Sequence, residues 1–187
     1  MQSLFDFIVK PANNKRYNNT TNIEGLEFIT STSQEDHKFS NREAIVINVP
    51  LGYKGNIKKG DTLLVHHNVF KYYYDMKGRQ KSGKSFLKDN LFFVDTDQFY
   101  LYKQKGKWYS HDRFCFVKPL KKQDSIIYKN TEYEPLIGHI KYISDELKSF
   151  GVKIGDKVTY KPDTEYEFDV DGEKLYRIYT QSITAVL

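Results

Sequence analysis

The adjacent pair His66-His67 is the first place to look for a metal ion. Successive residues on a strand point to opposite faces, so one ion cannot easily take both rings. No third ligand stands near them, and the expectation is one buried and one exposed histidine. Cys115 is the single cysteine, and His111 precedes it by four residues, a pairing with the residue types of a nucleophile and its base. On one strand the two share a face but stand about 13 Å apart. Cys115 is therefore expected to be a packed core residue. Asp163, Glu165, Glu167, Asp169 and Asp171 alternate with other residues. Such spacing gives a strand one acidic face, for calcium or simply for water, but it lacks the glycine placement of an EF-hand loop. The densest basic stretch, Lys77 to Lys88 (KGRQKSGKSFLK), reads as a solvated hairpin tip, with phosphate binding as the alternative. Nowhere do an acid, a base and a nucleophile converge. The reading is a binding protein, not an enzyme, with no cofactor and no metal called for.

The elements that must carry these residues are strands. The chain has 187 residues, 39% hydrophobic and 28% charged, as in soluble globular proteins. Its aromatic share of 16%, with 15 Tyr and 13 Phe, favours β structure. Apolar or alternating runs predict strands at Phe5 to Val9, Ala44 to Val49, Thr62 to Phe70, Leu91 to Val94, Phe99 to Tyr102, Phe114 to Val117, Ile137 to Ile143, Lys157 to Tyr160, Leu175 to Tyr179 and Ile183 to Leu187. One short helix is expected at Ser144 to Phe150, with Ser144 as its N-cap and Gly151 as its terminator. Many short strands between turn residues imply a sandwich or barrel.

Other totals restrict the setting. No apolar run approaches the ~20 residues needed to cross a bilayer, and Met1 to Lys10 lacks the pattern of a signal peptide. A single cysteine allows no internal disulfide, and a reducing cytoplasm is the expected compartment. The net charge of +5 could attract nucleic acid, but lysines and acids interleave along most of the chain, so nucleic acid is not the expected partner.

The segment 11–41 stands apart. Asn, Thr and Ser dominate it, and these residues favour turns and solvent. In its middle lies an apolar island: Ile23, then Gly25, Leu26, Glu27, Phe28, Ile29 and Thr30. A polar loop of this length carrying large apolar residues can bury them in a partner's groove. The alternative is that the island is one more core strand.

The chain also repeats itself. Val9-Lys10-Pro11 recurs as Val117-Lys118-Pro119, each after alternating aromatics (Phe5 and Phe7; Phe114 and Phe116). Ile57-Lys58-Lys59-Gly60-Asp61 recurs as Val152-Lys153-Ile154-Gly155-Asp156. Leu91 to Phe99 recurs loosely as Leu175 to Ile183. The order of the three landmarks is the same in both halves. Two domains follow, 1–105 and 106–187, divided at the polar stretch Gln104 to Ser110, where Trp108 and Tyr109 are expected to pack the halves together. The first domain carries the long loop at 11–41 and an inserted hairpin at 77–88. The second has a shorter loop at 120–135.

The ordered set resembles the GroES-type co-chaperonin family, the chaperonin-ten fold. His111-Asp112-Arg113-Phe114-Cys115-Phe116-Val117-Lys118-Pro119-Leu120 is similar to the family's opening strand, and Phe5 to Pro11 is a weaker copy. The family's mobile loop has a Gly followed by an apolar tripeptide, which Gly25, Leu26, Phe28 and Ile29 resemble, interrupted by Glu27. Val152 to Asp156 and Ile57 to Asp61 resemble its Gly-Asp turn, and Thr180 to Leu187 its closing strand. The usual roof hairpin is nearly absent: LGYKGN stands there in one half and SDELKSF in the other.

The resemblance implies an all-β fold of two tandem GroES-like irregular β-barrels with very little helix. It implies a co-chaperonin that caps a chaperonin ring through apolar contacts to the ring's apical domains and assists ATP-dependent folding. Gly25, Leu26, Phe28 and Ile29 would bind the chaperonin, with Ile126, Ile127 and Tyr128 as a second such loop. It also implies a homo-oligomeric ring joined through edge strands, the first (Phe5 to Val9) and last (Ile183 to Leu187) being the candidates. Divergent members occur in bacteriophages, which the Asn-, Lys- and Tyr-rich composition would suit. Two other readings use the same domains: a structural component of a virion or other assembly, and a barrel that binds single-stranded nucleic acid through aromatics and lysines.

Overall fold

The computed structural model describes residues 2–18, 20–23, 26–29, 39–111, 113–122 and 133–187. The chain is all-β, with antiparallel strands and one short helix. It divides into two compact units, Met1–Lys107 and Trp108–Leu187.

The first unit is built on β1 (Phe7–Pro11), β4 (Glu43–Asn48), β5 (Thr62–Val65), β8 (Phe86–Lys88), β9 (Leu91–Val94) and β10 (Phe99–Gln104). Between these lie two small hairpins, β2 (Thr20–Ile23) with β3 (Leu26–Ile29), and β6 (Tyr72–Tyr74) with β7 (Gln80–Ser82). β10 turns through Lys105 and Gly106, both at positive φ, into β11 (Lys107–Ser110). The main sheet runs β11-β10-β5-β4-β1-β9-β8. Alternation in β1, β4, β5 and β9 buries Phe7, Val9, Ala44, Val46, Leu63, Val65, Phe92 and Val94 in one apolar core. The burial of that face is what holds the register.

The second unit contains β12 (Phe114–Lys121), β13 (Tyr133–Tyr142), α1 (Asp145–Ser149), β14 (Lys157–Tyr160), β15 (Tyr166–Val170), β16 (Glu173–Tyr179) and β17 (Ile183–Val186). Its sheet runs β15-β16-β12-β13-β14-β17. Set beside β8-β9-β1-β4-β5-β10, this is the same order strand for strand. Val9 pairs with Val46 and Phe92; Val117 pairs with Ile140 and Tyr176. Pro11 pairs with Ala44, and Pro119 with Gly138.

The Gly-Asp turn is repeated atom by atom. Gly60 and Gly155 have φ of 93° and 94°, a backbone that side chains with a Cβ rarely adopt. The Lys58 amide donates to Asp61 Oδ2 at 2.7 Å, and the Lys153 amide to Asp156 Oδ2 at 2.8 Å. The Gly60 amide donates to the Val46 carbonyl at 2.8 Å, and the Gly155 amide to the Ile140 carbonyl at 2.8 Å. The helix forms where its cap residues lie: Ser144 Oγ accepts from the Leu147 amide, and Gly151 follows at φ 85°.

Several expectations need correction. Neither main sheet closes into a barrel: closure requires the two end strands to pair, and among the described residues both sheets end in separate edge strands. The first strand is not an edge, because β1 lies between β4 and β9. The run Thr62 to Phe70 is a strand only to Val65; beyond it the chain turns, with Val69 and Phe70 still filling the core. Lys77 to Lys88 is not one hairpin but the tip of β6–β7, all of β7, and β8 of the main sheet. Within the polar stretch Gln104 to Ser110 the chain makes a hairpin turn at Lys105 and Gly106. Among the described residues no helix is long and apolar enough to cross a membrane.

Candidate partner-binding site

Among the described residues, β2 and β3 join neither large sheet and pair only with each other, with Thr20 opposite Ile29, Thr21 opposite Phe28, Asn22 opposite Glu27 and Ile23 opposite Leu26. Leu26 is 65% exposed, a large apolar side chain left to solvent at the start of a strand. Gly25 lies outside the described residues, as do Ile126, Ile127 and Tyr128 of the second candidate loop. For Phe28 and Ile29 the backbone pairing just given is what the structure describes.

The base of this hairpin loop is firmly built. The Asn18 amide donates to the Phe39 carbonyl at 2.7 Å and the Asn41 amide to the Arg16 carbonyl at 3.1 Å, which brings the two ends of the loop together. Tyr17 and Ser40 face each other as a β-bridge. Asn41 is buried and spans the junction. Its Nδ2 donates to the carbonyls of Ala12 (2.9 Å) and Lys15 (2.7 Å), while its Oδ1 accepts from the Glu43 amide (2.9 Å). Buried carbonyls need such partners, and Asn supplies donor and acceptor together.

Arg16 ties the stem to the rest of the unit. Its Nε donates to the Phe70 carbonyl at 2.8 Å, and Nη2 to the Lys71 carbonyl at 3.0 Å. Nη1 reaches Ser82 Oγ at 3.2 Å. The guanidinium sits 5.0 Å from the ring centroids of both Tyr72 and Phe92. Burial lowers the Arg16 pKa from its ordinary value, and burial likewise raises that of Tyr17. Tyr17 packs edge-on against Tyr72 at 5.0 Å. The long loop is thus clamped at its foot, and the clamp includes the β6–β7 hairpin. In the sequence Arg16 and Asn41 stand as part of a polar loop. Their side chains act across more than fifty residues, in the case of Arg16, and no local spacing reveals that.

The other candidate groups do not assemble into sites. Cys115 is buried in the second core, its Sγ 3.6 Å from the Ile178 carbonyl, and burial pushes its thiol up to about 12. A thiol held neutral there is no nucleophile. His66 and His67 lie just after β5, not on it, and both are half-buried with ring centroids 4.1 Å apart. The expected buried-and-exposed pair is therefore corrected. His66 Nδ1 accepts from the Asn68 amide at 3.2 Å.

The five carboxylates do not form one face. Asp163 and Asp171 are turn residues at positive φ, and only Glu167 and Asp169 lie on β15. Glu167 pairs with Lys174 at 2.8 Å, Asp169 accepts from the Gly172 amide, and Asp171 accepts from Trp108 Nε1 at 2.9 Å. Trp108 is buried, while Tyr109 is exposed. Among the described residues no group of three His, Cys, Asp or Glu could hold a metal ion.

In comparisons with known proteins, no family model matches the sequence, and no curated protein matches it.

Proposed function

We propose that the chain is a co-chaperonin that caps a chaperonin ring, with the β2–β3 hairpin as its gripping element. The observation that carries this reading is the exposed Leu26 on a strand that joins neither large sheet, in a loop whose foot is clamped by Arg16 and Asn41. A core strand would be paired into the sheet. An apolar residue set out on a hairpin from a rigid base suits insertion into an apolar groove. The duplicated sheet order, with the Val-Lys-Pro and Gly-Asp landmarks in equivalent places, is what a tandem co-chaperonin requires and supports the same reading.

Burial of Leu26, Phe28 and Ile29 in a partner is worth about 5–9 kcal/mol gross. Ordering costs of about 2–5 kcal/mol leave a weak single contact. Useful affinity then comes from a ring presenting several hairpins at once. β17 lies at the edge of its sheet with Val186 exposed, and offers one surface for ring assembly.

The double variant Leu26→Asp, Phe28→Asp is expected to stay folded and to lose capture by a chaperonin ring in nucleotide-dependent pull-down and in electron micrographs. Full capture by the double variant would overturn the assignment of this hairpin.

A further inference from the structure

The two units share six strands in one order, and the first unit adds to that plan. Between β14 and β15 the second unit has only Lys161 to Glu165. At the equivalent place, between β5 and β8, the first unit inserts the β6–β7 hairpin. The charge of the whole protein resides there. Of 29 basic and 24 acidic residues, six basic and one acidic fall in residues 71–88, so this segment alone carries the net +5 and the rest of the chain balances. The six, Lys71, Lys77, Arg79, Lys81, Lys84 and Lys88, are all exposed, and none is in an ion pair among the described residues.

The hairpin has two different faces. Tyr72 points back to the Arg16 clamp and to Tyr17. Alternation turns Tyr73 the other way, and it is 53% exposed with Lys81 directly across the ladder. One step further at each end, the same alternation brings Lys71 and Arg79 to that face. Asp75, the one acidic residue of the segment, directs its carboxylate into the turn, where Oδ1 accepts from the Lys77 and Arg79 amides at 2.9 Å each. Arg16 fastens the hairpin's foot through the Phe70 and Lys71 carbonyls and Ser82 Oγ, which gives the face a fixed base.

We propose that this outward face binds single-stranded nucleic acid, with Tyr73 stacking on an unpaired base and Lys71, Arg79 and Lys81 holding the phosphates beside it. An exposed ring beside exposed cations offers the two contacts that such strands make, stacking and phosphate neutralisation. A duplex keeps its bases stacked and offers only phosphates. An anionic bilayer calls for a cluster of apolar side chains, whereas the hairpin tip carries only Met76, between Asp75 and Lys77.

The test uses the full chain and a fluorescein-labelled oligothymidylate, read by anisotropy across a salt titration. Binding is expected to weaken steeply with salt. The triple variant Lys71→Gln, Arg79→Gln, Lys81→Gln should lower the salt slope by about 2, since each single-strand phosphate neutralised contributes about 0.7. Tyr73→Ala should weaken binding about tenfold at fixed salt, with Tyr73→Trp retaining it. Both surface variants should keep the parent's unfolding temperature, and Leu26→Asp should bind the oligonucleotide like the parent, which separates this surface from the gripping hairpin. An unchanged affinity in the triple variant would overturn the proposal. So would a Tyr73→Ala variant equal to the parent, which would mean a general polyanion patch, or binding to phosphatidylserine vesicles without binding to the oligonucleotide.

Discussion

The two units have one plan and spend their differences in different places. At the Gly-Asp turns the same four residue positions make the same backbone and carboxylate bonds within about a tenth of an ångström. The six-strand order is also common to both. Yet the first unit carries a clamped hairpin loop and a second, basic hairpin, while the second carries α1 where the first has only the turns from Leu51 to Asn56. The repeated features are buried or need an unusual φ, so few residue types satisfy them. The divergent ones lie in the connections between the shared strands, where added length costs little. Chemistry specific to the first unit is thus to be sought on its two added hairpins and not in the shared core.

The sharpest way to break the equivalence lies at one register position. Ala44 faces Pro11, and Gly138 faces Pro119. Ala44 is fully buried and fits. At Gly138 an added Cβ would collide with the Val117 side chain and lie 2.5 Å from the Lys118 carbonyl oxygen, part of the backbone of its own partner strand. Gly138→Ala is therefore expected to destabilise the second unit by about 2–3 kcal/mol. Ala44→Gly should cost the first about 1 kcal/mol, through the lost methyl and added backbone freedom. Hydrogen exchange read by mass spectrometry resolves the units within the full chain. Equal effects at the two positions would show that the strand pair is not packed as described.

A smaller effect distinguishes the clamp. Arg16→Ala removes three hydrogen bonds and two ring contacts from the first unit. About 2 kcal/mol of local stability should go with them, because the carbonyls of Phe70 and Lys71 lose a charged donor. Faster proteolysis at the loop foot and faster exchange at the Asn18 and Asn41 amides should follow, with β12 to β17 unaffected. Unchanged cleavage would mean that Asn41 alone holds the stem.

How much of this was legible depends on what brackets each segment. Leu91–Val94 and Lys157–Tyr160 were readable to the residue, since each is an apolar or alternating run next to turn residues. The landmark pairs also proved to be register partners: Phe92 and Tyr176, equated from the repeat, sit opposite Val9 and Val117. What escaped was carried by polar strands. In KGRQKSGKSFLK the lysines mask the alternation of β7, and nothing local separates β7 from β8, because they belong to different sheets. β2 and β3 could be read as core strand or presented loop from the sequence; among the described residues they pair with each other and join neither large sheet. Of the candidate chaperonin-binding residues, Leu26 is the one whose side chain is described.

The smallest expected difference is electrostatic and belongs to the second unit. Glu173 is held by Lys118 at 2.6 Å and Lys141 at 2.7 Å. The hydrogen bond to Lys118, then that to Lys141, lowers the Glu173 pKa below its ordinary value. In the first unit the register makes Lys10 the counterpart of Lys118, but puts Ile47 where Lys141 stands and Asp89, a turn residue at φ 53°, where Glu173 stands. A carboxylate whose folded pKa is depressed stabilises the protein fully above its unfolded value, and that contribution disappears as pH falls through the folded one. The Glu173 side chain is 26% exposed and its lysines are more so, which limits the contribution to about 0.5 kcal/mol. Glu173→Gln should therefore lower the second unit's stability slightly at neutral pH and match the parent once acid has protonated the carboxyl. Exchange rates in β16, compared between parent and variant at neutral pH and below the ordinary glutamate range, measure this. A deficit that persists undiminished in acid would assign the effect to packing rather than to charge.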